Sequence, residues 1–310
     1  MRILLTACLT AFLTCTLLAQ SIRYQSVQAP KRELRAAWVA TVLNIDYPRS
    51  PSTNPIALKE QYRNMLDQLK DLGLNAVIVQ VRPAGDALYP SEYAPWSAYL
   101  TGRQGAPPKD DFDPLAFMIE ETHRRSMEFH AWINPFRASM NLDTASLFLT
   151  HPINTHPNWL VTYGTKMYFN PGIPEVRNHL VDVVGELVDN YNLDGIHIDD
   201  YFYPYPIKDV PFPDADTYRF YGRLSSSIED WRRSNTDKLM EALHERIKMT
   251  RPSVSFGVSP FGVWRNKSEA APKGSDTRAG ATSYDDLYAD VLKWVNRGWV
   301  DYVMPQLYWS

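Results

Sequence analysis

Cysteine is nearly missing from this 310-residue chain. There are two, Cys8 and Cys15, both in the first 20 residues. The remainder can form no disulfide and offers no thiolate nucleophile or cysteine-bound metal. Charge of one sign is equally scarce. The formal net charge is −3, so no global field recruits nucleic acid or anionic lipid. Past residue 18 there is no long apolar run, internal repeat or low-complexity tract. Neither HxH nor HExxH occurs, which weakens a metal-hydrolase reading. Ser259 sits in Gly257-Val-Ser-Pro-Phe rather than G-x-S-x-G, which argues against a serine-hydrolase elbow.

What is present is globular and aromatic. Hydrophobic residues make up 45% of the chain, and 9 Trp, 18 Tyr and 12 Phe raise the aromatic share to 13%. Tyr and Trp carry flat apolar faces with one polar tip, which suits sugar rings and also simply fills cores. The N-terminus, "MRILLTACLTAFLTCTLLAQ", has Arg2, an apolar stretch to Leu18, then Ala19-Gln20. That is the layout of a signal peptide over residues 1–20, followed by a polar leader over 21–32 and a body over 33–310. Leu13-Thr14 before Cys15 makes a poor lipoprotein box. An exported protein of the periplasm or cell envelope is expected, without a stable membrane span after cleavage and without cysteine staples.

The body alternates apolar strand-like runs with amphipathic helix patterns. The runs are 34–41, 76–82, 128–134, 194–204, 254–259 and 300–309. The helix patterns are at about 55–72, 113–126, 174–191, 216–250 and 284–297. This predicts α/β architecture with a parallel sheet. A doubly wound sheet and a (β/α)8 TIM barrel both fit. The lack of a Gly-rich turn after the first strand, and the polar and aromatic residues that end nearly every run, favour the barrel. Six strands do not close such a barrel, so the chain reads as truncated after the sixth strand, with open edges. An open six-stranded sheet is the alternative.

The chemistry concentrates in Asp194-Gly-Ile-His-Ile-Asp-Asp-Tyr201. Side chains alternate along a strand, so Ile196 and Ile198 face the helices while His197 and Asp199 face the interior. Asp200 sits at the lip and Asp194 at the far end. The same parity turns Gln80, Arg82, Trp132, Asn134, Ser255, Ser259, Gln306 and Tyr308 inward. Loops add Asn44, Asp46, Asp86, Arg137, Tyr201, Tyr203, Trp264 and Trp309. Carboxylates for acid, base and nucleophile, amides and arginine for hydroxyls, and rings for stacking are what a glycosidase needs. Asp199 is the expected key carboxylate, as nucleophile or as stabiliser of an oxocarbenium-like transition state. Asp200 is its partner, and Asp86 and Asp46 are further acid candidates. Arg82 and His197 would tune the carboxylates. Arg82, Trp132, Asn134, His197, Tyr201, Trp264, Gln306, Tyr308 and Trp309 form the expected glycan-binding set. No metal or cofactor is expected, although His197, Asp199 and Asp200 could supply ligands to a metal-dependent deacetylase. A glycan-binding barrel without catalysis is a further alternative.

"LRAAWVATVLNIDYP", "VIVQVRPAGDALYPSEYAPWSAYLTG", "FHAWINPFR", "DGIHIDDYFYP", "FGVSPFGVWRN" and "DYVMPQLYW", in this order, resemble the glycosyl hydrolase-like 10 family of bacterial envelope proteins. The resemblance implies a TIM-barrel domain acting on peptidoglycan glycan strands, notably strands stripped of stem peptides. Gly195-x-His-x-Asp199 also resembles the strand-four pattern of α-amylase-type barrels, where the aspartate is the nucleophile. Asp194-Gly-x-x-x-Asp199 resembles that of family 18 chitinases, and Met304-Pro-Gln306-Leu-Tyr308 echoes a chitinase element. The chitinase pattern has a glutamate acid where this chain has Tyr201.

Overall fold

The computed structural model describes residues 33–269 and 271–308, so the expected signal peptide over 1–20, the expected leader over 21–32 and Trp309 lie outside the described residues. Six parallel strands form one sheet: β1 (Ala36–Val39), β2 (Ala76–Arg82), β3 (Glu128–Ile133), β6 (Gly195–Ile198), β7 (Ser255–Val258) and β8 (Tyr302–Val303). Their order is β1-β2-β3-β6-β7-β8, curled into a half-barrel. Between β3 and β6 the chain makes an antiparallel hairpin, β4 (Leu160–Tyr163) and β5 (Lys166–Phe169). Gly164 turns it at φ +61°. The strand expectations match all six sheet strands, with the expected bounds for β2 and shorter bounds for the others, and miss the hairpin.

The crossover helices start where the sequence supplies caps. In α1 (Pro55–Asp71), Asn54 accepts from the Ile56 N–H and Pro55 opens the first turn. In α2 (Pro114–Arg124), Asp113 accepts from the Leu115 and Ala116 N–H groups. Proline at the first turn loses no helical bond, because that N–H has no partner anyway. α3 (Pro174–Asn190) also opens on proline, Pro174, but has no side-chain cap. The run expected over 216–250 is two helices, α4 (Ala215–Tyr221) and α5 (Ile228–Thr250). Gly222 caps the first and Ser227 restarts the second by accepting from the Asp230 N–H. The helix expected from 284 is shorter, α6 (Val291–Arg297), because Asp290 is its N-cap.

Strand parity sorts the two faces of the sheet. Val77, Val79, Val81, Phe129, Ala131, Ile133, Ile196, Ile198, Phe256 and Val258 are buried in one cluster with Leu66, Met118, Leu180, Val184, Leu187, Leu239 and Leu243 of the helices. Each such aliphatic side chain contributes about 1.5–3 kcal/mol of burial. The opposite face carries Gln80, Arg82, His130, Trp132, His197, Asp199 and Ser259, which are mostly polar. Packing therefore fixes the outer face and leaves the interior face free to build a site at the C-terminal strand ends. At the other end, Asp194 accepts from His123 Nε2 at 2.7 Å and the Phe129 N–H at 2.8 Å, tying β3 to β6.

Candidate active site

A cavity of about 560 Å³ opens at the C-terminal ends of the strands, lined by Trp38, Trp132, Asp199, Asp200, Tyr201, Tyr205, Ser259, Met304, Pro305, Gln306, Leu307 and Tyr308. Asp199 and Asp200 lie together on its floor, where β6 gives way to loop, and both are buried. Asp199 Oδ2 accepts from Trp132 Nε1 at 2.9 Å and Asn134 Nδ2 at 3.2 Å, and its Oδ1 accepts from the Tyr201 N–H at 3.1 Å. Asp200 Oδ1 accepts from Gln306 Nε2 at 2.7 Å, and its Oδ2 accepts a short bond from the Tyr205 hydroxyl.

The two carboxyls are inequivalent. Burial, and after it the negative charge of Asp200, push the Asp199 carboxyl up to about 7. Arg137 and the Trp132 and Tyr201 donors oppose that shift without cancelling it. Desolvation penalises the charged form, and here it outweighs the hydrogen bonds. Asp199 therefore exchanges its proton near neutral pH. Beneath the cavity His197 is fully buried and pushed down to about 3 by desolvation, so it is neutral. Among the described residues no group of three or more His, Cys, Asp or Glu side chains converges as a metal site.

Of the expected residues, Asp199, Asp200, Trp132, Tyr201, Gln306 and Tyr308 meet at the cavity. Others are elsewhere. Arg82 is fully buried, donates from Nη1 to the Asn134 carbonyl at 2.8 Å, and lies over the Phe169 ring. The arginine whose charge acts on Asp199 is Arg137, stacked 4.3 Å over Tyr201. Asn134 holds protein rather than the cavity, since its Oδ1 accepts from the Arg137 N–H at 2.9 Å while Nδ2 serves Asp199. Asp86 is buried near Arg82 and Gln104, outside the cavity, and desolvation raises its carboxyl. Asp46 binds the Ala40 N–H, and Asn44 the Pro48 and Tyr99 carbonyls. Trp264 packs on Tyr284 and donates to Asp290 at 3.2 Å. Tyr203, expected at the mouth, is buried against Phe212 and Tyr288. Tyr205 and Trp38 line the cavity unanticipated.

Fold and site together define an α/β half-barrel protein with paired carboxylates and an aromatic wall at its strand ends. The sequence model of the Glycosyl hydrolase-like 10 family matches residues 33–310, and the chain belongs to that family. It is 49% identical over 292 residues to Glycosyl hydrolase YngK of Bacillus subtilis (strain 168), across 94% of this chain and 57% of that protein. It is 41% identical over 300 residues to Glycosyl hydrolase DigH of Escherichia coli (strain K12), across 92% of this chain and 67% of that protein. The chain thus spans little more than half the length of the first relative. Among solved structures, alpha-L-fucosidase isoenzyme 2 from Paenibacillus thiaminolyticus aligns with a TM-score of 0.47 at 16% identity, covering 79% of this chain and 35% of that one.

Proposed function

We propose that this protein hydrolyses glycosidic bonds of an N-acetylhexosamine-containing glycan, peptidoglycan strands of the bacterial envelope, at the Asp199–Asp200 pair. One observation carries the reading: adjacent carboxyls sit on a cavity floor in different environments, with Asp199 titrating near 7 beside the negative charge of Asp200. Glycosidases use two carboxyl groups in different protonation states. Trp38, Trp132, Tyr201, Tyr205 and Tyr308 around the cavity supply faces for sugar rings. Membership of a glycosyl hydrolase-like family supports the reaction class. The peptidoglycan substrate and the exported location rest on the resemblance of the six motifs and on the N-terminal segment.

In this reading the raised Asp199 carboxyl acts in proton transfer, rather than as the nucleophile or oxocarbenium stabiliser expected from the sequence. Protonated Asp199 donates to the departing glycosidic oxygen as the C–O bond breaks. The sugar carbon takes up positive charge, which the Asp200 carboxylate stabilises. A water adds its hydroxyl to that carbon, and its remaining proton restores Asp199. Trp132, Asn134 and the Tyr201 amide hold the Asp199 carboxyl in one orientation, which limits the reorganisation needed for transfer. Release of reducing sugar ends from purified stem-peptide-free strands by the wild type and not by Asp199→Asn tests the proposal. No products, or equal products from both proteins, would overturn it.

A further inference from the structure

A line of hydrogen bonds runs from the exposed carboxylate of Glu128 through the half-barrel interior to the underside of the cavity. Glu128 Oε2 lies 3.1 Å from His130 Nε2, and His130 Nδ1 lies 2.8 Å from the Tyr302 hydroxyl. The same hydroxyl lies 3.1 Å from His197 Nδ1, and His197 Nε2 lies 3.0 Å from Ser259 Oγ on the cavity floor. Two glycines make the line possible. A Cβ on Gly195 would meet His130 Nδ1 at 2.2 Å, and one on Gly257 would meet the Tyr302 ring at 2.0 Å. Each aromatic ring therefore lies across the strand beside its own, over a position with no side chain.

The end group sets the direction. A carboxylate only accepts, so His130 donates to Glu128 from Nε2. Carrying one proton, His130 then accepts at Nδ1, and Tyr302 spends its single O–H there. The Tyr302 oxygen is left to accept from His197 Nδ1–H, so the neutral His197 ring accepts at Nε2 from the Ser259 O–H. The opposite direction would require His130 to donate from both ring nitrogens at once, to Glu128 and to Tyr302.

We infer that Glu128, His130, Tyr302 and His197 turn the Ser259 hydroxyl hydrogen away from the cavity, making Ser259 an acceptor-only positioning residue for a hydroxyl or amide N–H of the bound glycan. The glycan in this statement rests on the proposed function, whereas the direction of the chain does not. Ser259 is thereby matched to a hydroxyl or acetamide N–H and mismatched to a group that only accepts.

Long-range proton–nitrogen NMR on the full chain with 15N-labelled histidine tests it. The expected result is a proton on Nδ1 of His197 and on Nε2 of His130. A proton on Nε2 of His197 overturns the inference, because Ser259 would then point its hydrogen into the cavity. In Tyr302→Phe the His197 proton is expected to move to Nε2. If it stays on Nδ1, Tyr302 does not set the direction and the inference fails. If this variant does not fold, the wild-type assignment decides alone. Tetra-N-acetylchitotetraose should bind Ser259→Ala about tenfold more weakly than wild type, the loss of one hydrogen bond. Equal binding by the two proteins overturns the positioning role. Absence of binding to the wild type counts against the glycan reading, with the chain still judged by its nitrogen assignments.

Discussion

Trp132 and Asp199 are joined across adjacent strands by a 2.9 Å bond from the indole N–H to carboxylate Oδ2. Trp132 pairs in register with His197, two residues before Asp199, so the indole reaches along the strand toward the lip. The bond orients the carboxyl and favours its charged form against strong desolvation. Trp132→Phe keeps a ring at the cavity and removes that donor. The high-pH limb of activity, where Asp199 loses the proton it must donate, should move upward from about 7, by about one pH unit for a lost bond to a charged group. A pH–kcat/KM profile checks it, and an unchanged limb would show that the indole bond does not hold the carboxyl.

Asp199→Asn should lower activity by about 10²–10⁴-fold, the usual size of a proton-transfer contribution, with a thermal midpoint near that of wild type at about pH 4, where the folded wild-type carboxyl is also uncharged. The amide oxygen can still accept from Trp132 and Asn134, and the variant loses the Tyr201 contact. Calorimetry beside an activity assay separates a lost chemical group from a lost fold.

The same carboxyl links stability to pH. Its folded value, about 7, is above its ordinary value of 3.8. Between those values the folded chain holds a proton that the unfolded chain has released, so stability from this group falls as pH rises from about 4 to 7 and is level above. Denaturant titrations at pH 4, 5.5 and 7 should show wild type losing stability over this window relative to Asp199→Asn. Parallel curves for the two proteins would contradict the raised value.

Away from the cavity, Arg232 grips Asp214 through Nε at 2.9 Å and Nη2 at 2.6 Å, with Asp214 fully buried. Arg232→Met leaves that carboxylate buried without its partner and should cost about 3–5 kcal/mol in chemical denaturation. Catalysis at low temperature should survive, because neither residue lines the cavity.

Much of this was legible in sequence because packing enforces it. The run Ala76–Arg82 is strand throughout and buried on both faces, and the parity of Ile196, His197, Ile198 and Asp199 holds because Ile196 and Ile198 must pack on helices. The helix starts expected at about 55 and 113 hold because Asn54 and Asp113 cap the first turns and Pro55 and Pro114 open them. Parity fails where the strand ends. Past Asp199 the backbone turns, so Tyr203 enters a satellite cluster while Tyr205 reaches Asp200. Arg82 misled because a charge on an inward strand position says nothing about depth, and a register shift between Gln80 and Arg82 accompanies its burial. Trp264 misled because an aromatic residue after a strand serves a core as readily as a ligand.

The most direct measurement is mass spectrometry of stem-peptide-free peptidoglycan strands incubated with the full-length protein and, in parallel, with Asp199→Asn. Hydrolysis at the Asp199–Asp200 pair gives shortened strands with reducing ends from the wild type and uncut strands from the variant. Anhydro ends, no cleavage by the wild type, or equal cleavage by both would contradict it.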